Sequence, residues 1–437
     1  LVGWSELQEV DELPSWQPVT RSLLSETYQM YTSGSTGQPK GVCAHDQGVL
    51  RVTRGQNYIE IMPEDVVLQL SSVAFDGSTF DIWGALLHGS CLALARPGKP
   101  SIQSLSDDID RYGVSVVFMT TALFHVMVKE RIEAFRGLRV LLAGGEKMSI
   151  TQLQQYLTFC SQWGGTFVHC YGPTEATTYS YCDVMHAWDD AWATAPIGYP
   201  ISHSTGYVLD QHLNRVPVGV PGELYVGGSG LAHGYWGRPG LTASQFIPNP
   251  YGKGGSRLYK TGDRVRYLED GRIEFIGRID QQVKVRGHRV EPGEIEEAIR
   301  GVGGVQDAVV VVHEEAGNKR LVAYVAGSAS VDEVGSHLKE RLPSYMVPHH
   351  YELLESIPLT LNGKIDYGRL PSPNWEGSSS YVAPESEAER TLCAIWSEVL
   401  GVESVGVTDN FFELGGDSIL SIQVAARAEK AGYAFSL

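Results

Sequence analysis

Between Tyr28 and about Gly277 the chain reads as short, nearly continuous apolar runs separated by helical or glycine-rich stretches. The runs are VVLQL at 66–70, VSVVFM at 114–119, LRVLLA at 138–143 and ELYVGG at 223–228. Their alternation with helical segments predicts a large α/β body with loops at the strand ends. After Asp280 the pattern tightens into an amphipathic helix near Glu294–Arg300, strands at 305–312 and 320–327, and a helix near Val331–Leu342, which is a small α+β unit. The stretch PSPNWEGSSSYVAPES at 371–386 is rich in Pro and Ser and lacks periodicity, so it reads as a linker. Beyond it Leu392, Ile395, Trp396, Val399 and Leu400 recur at helical spacing, and GGDSIL opens a second helical run to about Lys430, the start of an all-α bundle. The expected division is a large body over 1–279, a small unit over 280–370, a linker over 371–385 and part of a helical bundle over 386–437.

Composition narrows the function. At ~150 residues per domain, 437 residues suggest about three units, and 43% hydrophobic residues with 9 Trp exclude wholesale disorder. Lys plus Arg total 34 against 51 Asp plus Glu, a net charge of -17 that repels a nucleic-acid backbone. A phosphate ligand must therefore be held by local backbone N–H groups and a few cations, which points to a small nucleotide. The 6 Cys show no CxxC and no paired spacing, so they read as reduced thiols. The start, LVGWSELQEVDE, has no leader pattern, and the most apolar stretch, Val114–Val128, is interrupted by Thr and His; no membrane span and a cytoplasmic location are expected. Gly is over-represented at 49 residues, and it is clustered, as in loops that approach a ligand closely.

The first cluster is YTSGSTGQPKG, Tyr31–Gly41. Thr32, Ser33, Gly34, Ser35, Thr36, Gly37 and Lys40 can wrap a polyphosphate in an N–H nest with one cation, although GxxxxGK[ST] spacing is missing, so this is not a Walker loop. Later come His169-Cys-Tyr-Gly-Pro-Thr-Glu175, Tyr259-Lys-Thr-Gly-Asp263, GRIDQQVKVRGHRVEPGEIE at 277–296, LPSYMVP at 342–348 and Asn362-Gly-Lys-Ile-Asp366. In their order, these blocks resemble the adenylate-forming superfamily, and within it the adenylation domains of nonribosomal peptide synthetases followed by a peptidyl-carrier domain.

That resemblance implies ATP and magnesium as cofactors. Tyr171 would stack on adenine, Gly172 would belong to the same ATP-binding turn, Thr174 would meet the α-phosphate and Glu175 the magnesium. Asp263 would accept from the ribose hydroxyls, Arg278 would sit at ribose and phosphate, and Asp280 would be the hinge of the small domain. Lys364 would swing in to bridge the substrate carboxylate and the α-phosphate; a desolvated cation between two anions lowers the barrier, and no general base is needed because the carboxylate is already ionised. His349–His350 and His169/Cys170 invite a zinc reading, but a third and fourth ligand at suitable spacing are missing.

Phe75-Asp-Gly-Ser78 resembles the family motif whose Asp pairs with an α-amino group, so Asp76 points to an amino-acid substrate, since a buried carboxylate needs a cationic partner. The other pocket positions by motif are Gly77, Phe80, Phe118, Leu142, Gly144, Cys170, Thr178 and Tyr179. With charge only at Asp76 and Lys364, the set resembles pockets for aliphatic side chains, Ile or Val first. DNFFELGGDS, Asp409–Ser418, resembles the carrier motif in which Ser418 receives 4'-phosphopantetheine; Asp417 resembles carriers that feed an epimerisation domain. Expected partners are thus the carrier in cis, neighbouring condensation and epimerisation domains and an MbtH-like helper protein. Against the family pattern, the large domain starts late and the carrier stops before it closes. Two other readings stay open on the sequence: a stand-alone acyl-CoA or aryl-acid ligase, and a catalytically silent carrier or docking fragment.

Overall fold

A computed structural model describes residues 19–34, 38–96, 101–189, 194–280, 282–285, 288–315, 318–360, 365–373, 381–411, 414–416 and 418–433. The runs VVLQL, VSVVFM and LRVLLA become inner strands of a seven-stranded sheet, and ELYVGG falls in a second sheet. In spatial order the seven strands are Cys91–Leu94, Val66–Gln69, Val116–Thr120, Val140–Gly144, Thr166–Tyr171, Tyr181–Met185 and Tyr199–Pro200. The first five run parallel and the last two antiparallel.

Each face of this sheet has its own core. Helices Ile102–Tyr112, Thr121–Arg131 and Ile150–Cys160 cover one side, where Phe124, Phe135, Tyr156 and Phe167 pack ring against ring. On the other side Val52, Tyr58, Phe80, Phe118, Leu142, Cys170 and Tyr179 form a second cluster beneath helices Asp46–Thr53 and Gly77–Leu86. Burial on both faces is why these strands carry unbroken apolar runs rather than alternation.

A second sheet pairs Ser204–Leu209, Gly222–Gly228, Arg257–Tyr267 and Phe246–Pro248, with Ile273–Arg278 also on Arg257–Tyr267. Asp263 and Arg278 face each other in that last pairing, which sets both at the mouth of the site. The chain then forms a short hairpin, Val283–Val285 with His288–Val290, a helix Pro292–Arg300, and a three-stranded sheet of Val305–Glu315, Asn318–Gly327 and His350–Leu354. Helix Val331–Arg341 begins with a capping box in which Ser330 and Glu333 satisfy each other's backbone N–H groups. Helices Glu387–Leu400 and Ser418–Lys430 share an apolar cluster with Val405 and Leu414. The fold is the expected α/β body with a small α+β unit and the helices of a carrier-type bundle. Among the described residues no helix is long and apolar enough to cross a membrane.

Candidate functional site

One cavity of about 340 Å³ opens at the C-terminal ends of the parallel strands, where the large body meets the small unit. The strand ends place Phe118, Met119 and Thr120 from one strand, Gly144 from the next, and Cys170 and Tyr171 from a third along its wall. Ligands in open parallel sheets sit at this edge because the loops there are free to vary over a rigid frame.

At its apolar end the cavity is lined by Gly77, Phe118, Gly144, Cys170, Thr178 and Tyr179, with Asp76 as the acid. Asp76 precedes the helix Gly77–Leu86 and is half-buried; loss of solvent around it pushes its carboxyl up, and a hydrogen bond from Thr174 works against that. A partly desolvated carboxylate held in this way favours an arriving ammonium group. Phe80 and Leu142 do not line the cavity: both are fully buried in the layer behind it, where Phe80 packs on Tyr179 at 5.7 Å. Gly144 is a close approach, since a Cβ there would lie 2.2 Å from the Cys170 carbonyl oxygen.

The turn that carries this wall is strained. Thr177 and Thr178 both adopt left-handed φ values, 54° and 65°, which non-glycine residues rarely take outside over-determined sites. Arg51, from the helix Asp46–Thr53, holds the turn: its Nη2 donates to the carbonyls of Ala176 at 2.6 Å and Thr177 at 2.7 Å, and its Nη1 to Ser204 Oγ. Thr178 Oγ1 donates to the Asp76 carbonyl at 2.8 Å, which ties the strained turn to the acid. Sequence reading missed Arg51, because a lone basic residue in a helix carries no local signal for contacts more than a hundred positions away.

The other end of the cavity is polar. Thr32, Ser33, Tyr171, Gly172, Thr174, Asp263 and Arg278 line it, joined by Thr261, Gln282, Lys284, Arg289 and Tyr345. The Tyr171 hydroxyl donates to Asp263 Oδ2, and Arg278 Nη1 donates to Asp263 Oδ1 at 2.8 Å. Arg278 also donates to both oxygens of Asp280, at 2.8 and 2.6 Å, where the chain leaves the large body. His169, two positions before Tyr171 on the same strand, is neutral: burial lowers it to about 4, and Nδ1 pairs with the Pro196 carbonyl at 2.7 Å.

Glu175 does not line the cavity. It is fully buried, with Oε1 bonded by the Tyr235 hydroxyl at 2.8 Å and Lys40 Nζ at 3.3 Å, while Arg289 Nη1 reaches Oε1 and Oε2 at 3.0 Å each. Burial alone would push its carboxyl up; Arg289, Lys40 and Tyr235 outweigh that and hold it well below the usual carboxylate range. With these donors in place and no solvent-facing oxygen, Glu175 does not fit a magnesium ligand in this arrangement. Lys40 is likewise turned inward, over the Tyr235 ring at 4.8 Å. Gly34 N donates to Glu294 Oε2 at 3.0 Å and Ser33 Oγ to the Arg289 carbonyl at 2.8 Å, so the small unit touches the phosphate-type loop directly. Arg289 and Glu294 stand inside the block at 277–296 but had no individual role on sequence grounds. Ser35, Thr36, Gly37 and Lys364 lie outside the described residues, and the helix Ser418–Lys430 starts at Ser418, whose side chain is not among those described. Among the described residues no cluster of His, Cys, Asp and Glu is arranged to hold a metal ion.

The bundle end is seated on the large body. Arg427 Nε and Lys430 Nζ bond the buried carboxylate of Glu130 at 3.1 and 3.0 Å, and Ile422 joins the core beneath. Arg320 Nη2 donates to the Leu400 carbonyl at 2.6 Å, which ties the small unit to the same bundle.

Three family profiles match: "AMP-binding enzyme" over residues 5–236, "AMP-binding enzyme C-terminal domain" over 294–364 and "Phosphopantetheine attachment site" over 390–437. The chain is 49% identical over 430 residues to one of the proteins that make up the linear gramicidin synthase of Brevibacillus parabrevis, covering 96% of this chain and 6% of that protein. It is 42% identical over 409 residues to bacitracin synthase 1 of Bacillus licheniformis, covering 92% and 8%. The chain thus spans only a small part of these curated relatives. Among solved structures it resembles holo-PA1221, "an NRPS protein containing adenylation and PCP domains bound to vinylsulfonamide inhibitor", with a TM-score of 0.82 and 33% identity over 97% of this chain and 72% of that one.

Proposed function

Since the chain belongs to the AMP-binding enzyme family, as an adenylation domain of the nonribosomal peptide synthetase kind with a carrier segment, we propose that it activates an aliphatic α-amino acid, Ile or Val first, and loads it onto its own carrier. The observation that carries this reading is the continuous cavity that runs from Asp76 at one end to Tyr171, Asp263 and Arg278 at the other. The family cofactors are ATP, magnesium and the 4'-phosphopantetheine arm.

In the first half-reaction a carboxylate oxygen of the amino acid bonds to the α-phosphorus of ATP and pyrophosphate leaves. Asp76 takes the ammonium group, Tyr171 and Asp263 the nucleoside, and Arg278 the negative charge near the ribose. Orienting two anions in one cavity supplies much of the rate, since the nucleophile is already ionised. Lys364 is the residue whose cation would sit between them. In the second half-reaction the thiol sulfur of the arm on Ser418 bonds to the carbonyl carbon, AMP leaves and a thioester remains.

The apolar wall of Phe118, Cys170 and Tyr179 supports an aliphatic side chain, because a charged substituent would find no partner there. Asp76 speaks for an amino acid over a plain acyl or aryl acid. Condensation and epimerisation domains and an MbtH-like protein belong to this proposal as partners. ATP–pyrophosphate exchange across an amino-acid panel tests it: Ile or Val should give the highest rate, and equal exchange with non-amino carboxylic acids would sink it.

A further inference from the structure

The turn that carries Thr178 onto the cavity wall is held by a buried cation that the proposed chemistry does not use. Arg51 is 3% exposed, and burial pushes its guanidinium down to about 10. Among the described residues no carboxylate pairs with it: its donors go to the Ala176 and Thr177 carbonyls and the Ser204 hydroxyl, and Nε has no partner. A charge held out of water without a counter-ion is costly, and the carbonyl dipoles it meets here belong to a turn that is itself costly, with Thr177 and Thr178 at positive φ. Two more contacts clamp the same turn. Thr177 Oγ1 donates to the Gly230 carbonyl at 2.8 Å, and helix Asp46–Thr53 packs so close that a Cβ at Gly48 would lie 2.6 Å from Thr177 Oγ1. Gly230 also leaves room for the guanidinium, since a Cβ there would lie 2.1 Å from Arg51 Nε.

We propose that Arg51 is a specificity-determining positioning residue: it holds Thr177 and Thr178 at positive φ, which sets Thr178 on the cavity wall and fixes the width of the side-chain end without touching substrate. Thr178 lines the cavity and Arg51 does not. The turn reaches the acid as well, because Thr178 Oγ1 donates to the Asp76 carbonyl. Without the guanidinium the two threonines lose the donors that keep Cβ-bearing residues at positive φ, and they relax toward the negative values such residues favour. Thr178 then leaves the wall, and a wall without one fixed shape discriminates less between side chains that differ by a methylene. An arginine suits the task because its planar fork meets two successive carbonyls and a hydroxyl at once, where a lysine offers one nitrogen. The inference rests on the proposed amino-acid reading of this end of the cavity.

The test is a double-mutant cycle on the full chain between Arg51→Met and Thr177→Gly, because glycine adopts positive φ without the Cβ penalty and so does not need the clamp. ATP–pyrophosphate exchange over an amino-acid panel gives the selectivity, taken as the ratio of kcat/KM between the best two amino acids. Arg51→Met should lower that ratio about tenfold and raise the KM for the best amino acid, while the KM for ATP stays within about twofold. In the Thr177→Gly background the same change should lower the ratio by no more than about threefold. Hydrogen exchange reads the turn directly: the amides of Thr177 and Ser180, bonded to the Thr174 and Tyr171 carbonyls at 3.1 and 2.8 Å, should exchange faster in Arg51→Met. Arg51→Lys should fall between wild type and Arg51→Met, and it carries the same cycle where Arg51→Met does not fold. Equal loss of selectivity with and without Thr177→Gly, a parallel rise in both KM values, or unchanged selectivity would overturn the inference. Wild type that exchanges with no amino acid would overturn the amino-acid reading as well.

Discussion

The two ends of the cavity are built on opposite plans. The end proposed for the amino acid is an apolar wall with one half-buried acid, fixed by Arg51 and a strained threonine turn that belong wholly to the large body. The end proposed for the nucleotide is a mesh of charges contributed by both units: Lys40, Glu175 and Asp263 from one, Lys284 and Arg289 from the other. Apolar packing is rigid and selects by shape, so it suits the partner that must be recognised once. Charges can exchange partners at little net cost if each always finds one, and that suits the end where the ligand changes during the reaction.

Removing the acid of the rigid end should have the largest effect. Asp76→Asn should lower amino-acid-dependent exchange by about 10²- to 10³-fold, or ~3–4 kcal/mol, as when one partner of an enclosed ion pair goes, while the melting temperature at neutral pH rises. The rise follows from sign: the folded-state value of Asp76 lies above its unfolded value, so the ionised carboxyl costs stability as pH climbs past the unfolded value. A lower melting temperature would contradict it. At the mesh end, Glu175→Gln should cost on the order of 3 kcal/mol of stability in urea unfolding, since Arg289 and Lys40 both lose their anion. An unchanged midpoint would show that the mesh is not a coupled unit.

Smaller perturbations sharpen the contrast. Gly77→Ala puts a Cβ 2.9 Å from the Phe118 ring and should shift selectivity toward smaller side chains by about tenfold, read as ratios of kcat/KM, in keeping with ~1–3 kcal/mol per methylene. In wild type the KM for the amino acid should rise about tenfold per pH unit as pH falls through the raised Asp76 value, because the protonated carboxyl no longer pairs with ammonium. The same profile in Asp76→Asn should be flat. Finally, Glu130→Gln should slow carrier loading a few-fold and leave pyrophosphate exchange untouched. Its partner Lys430 is 60% exposed, which limits such a pair to ~1 kcal/mol. Restoring the rate with added salt, rather than losing it, would argue against an electrostatic seat.

Much of the fold was legible because parallel strands buried on both faces announce themselves as apolar runs, and VVLQL, VSVVFM and LRVLLA each became a strand of one sheet. The strand Arg257–Tyr267 is harder to read, since Gly262-Asp263, a pair common in turns, sits in its middle. Site residues carried by contiguous motifs, such as Asp76, Tyr171 and Asp263, lie on the cavity. Motif position says nothing of side-chain direction, and so Phe80 and Leu142 sit behind the wall rather than on it. The pairing of Glu175 with Arg289 spans 114 positions and exists only when the two units meet, so no local pattern encodes it.

The seat of the bundle helix has a bearing on module exchange. Ile422 is buried in the same cluster as Phe124 and Phe135, so that part of the large body's hydrophobic core is contributed by a segment that follows the linker. A chimera that grafts a foreign carrier onto this body must therefore match volume at position 422 and at its neighbour Ala426, as well as charge at 427 and 430. A graft chosen on catalytic motif alone would leave a hole in the core under Thr121–Arg131, and its fault would show first as lost yield of folded protein.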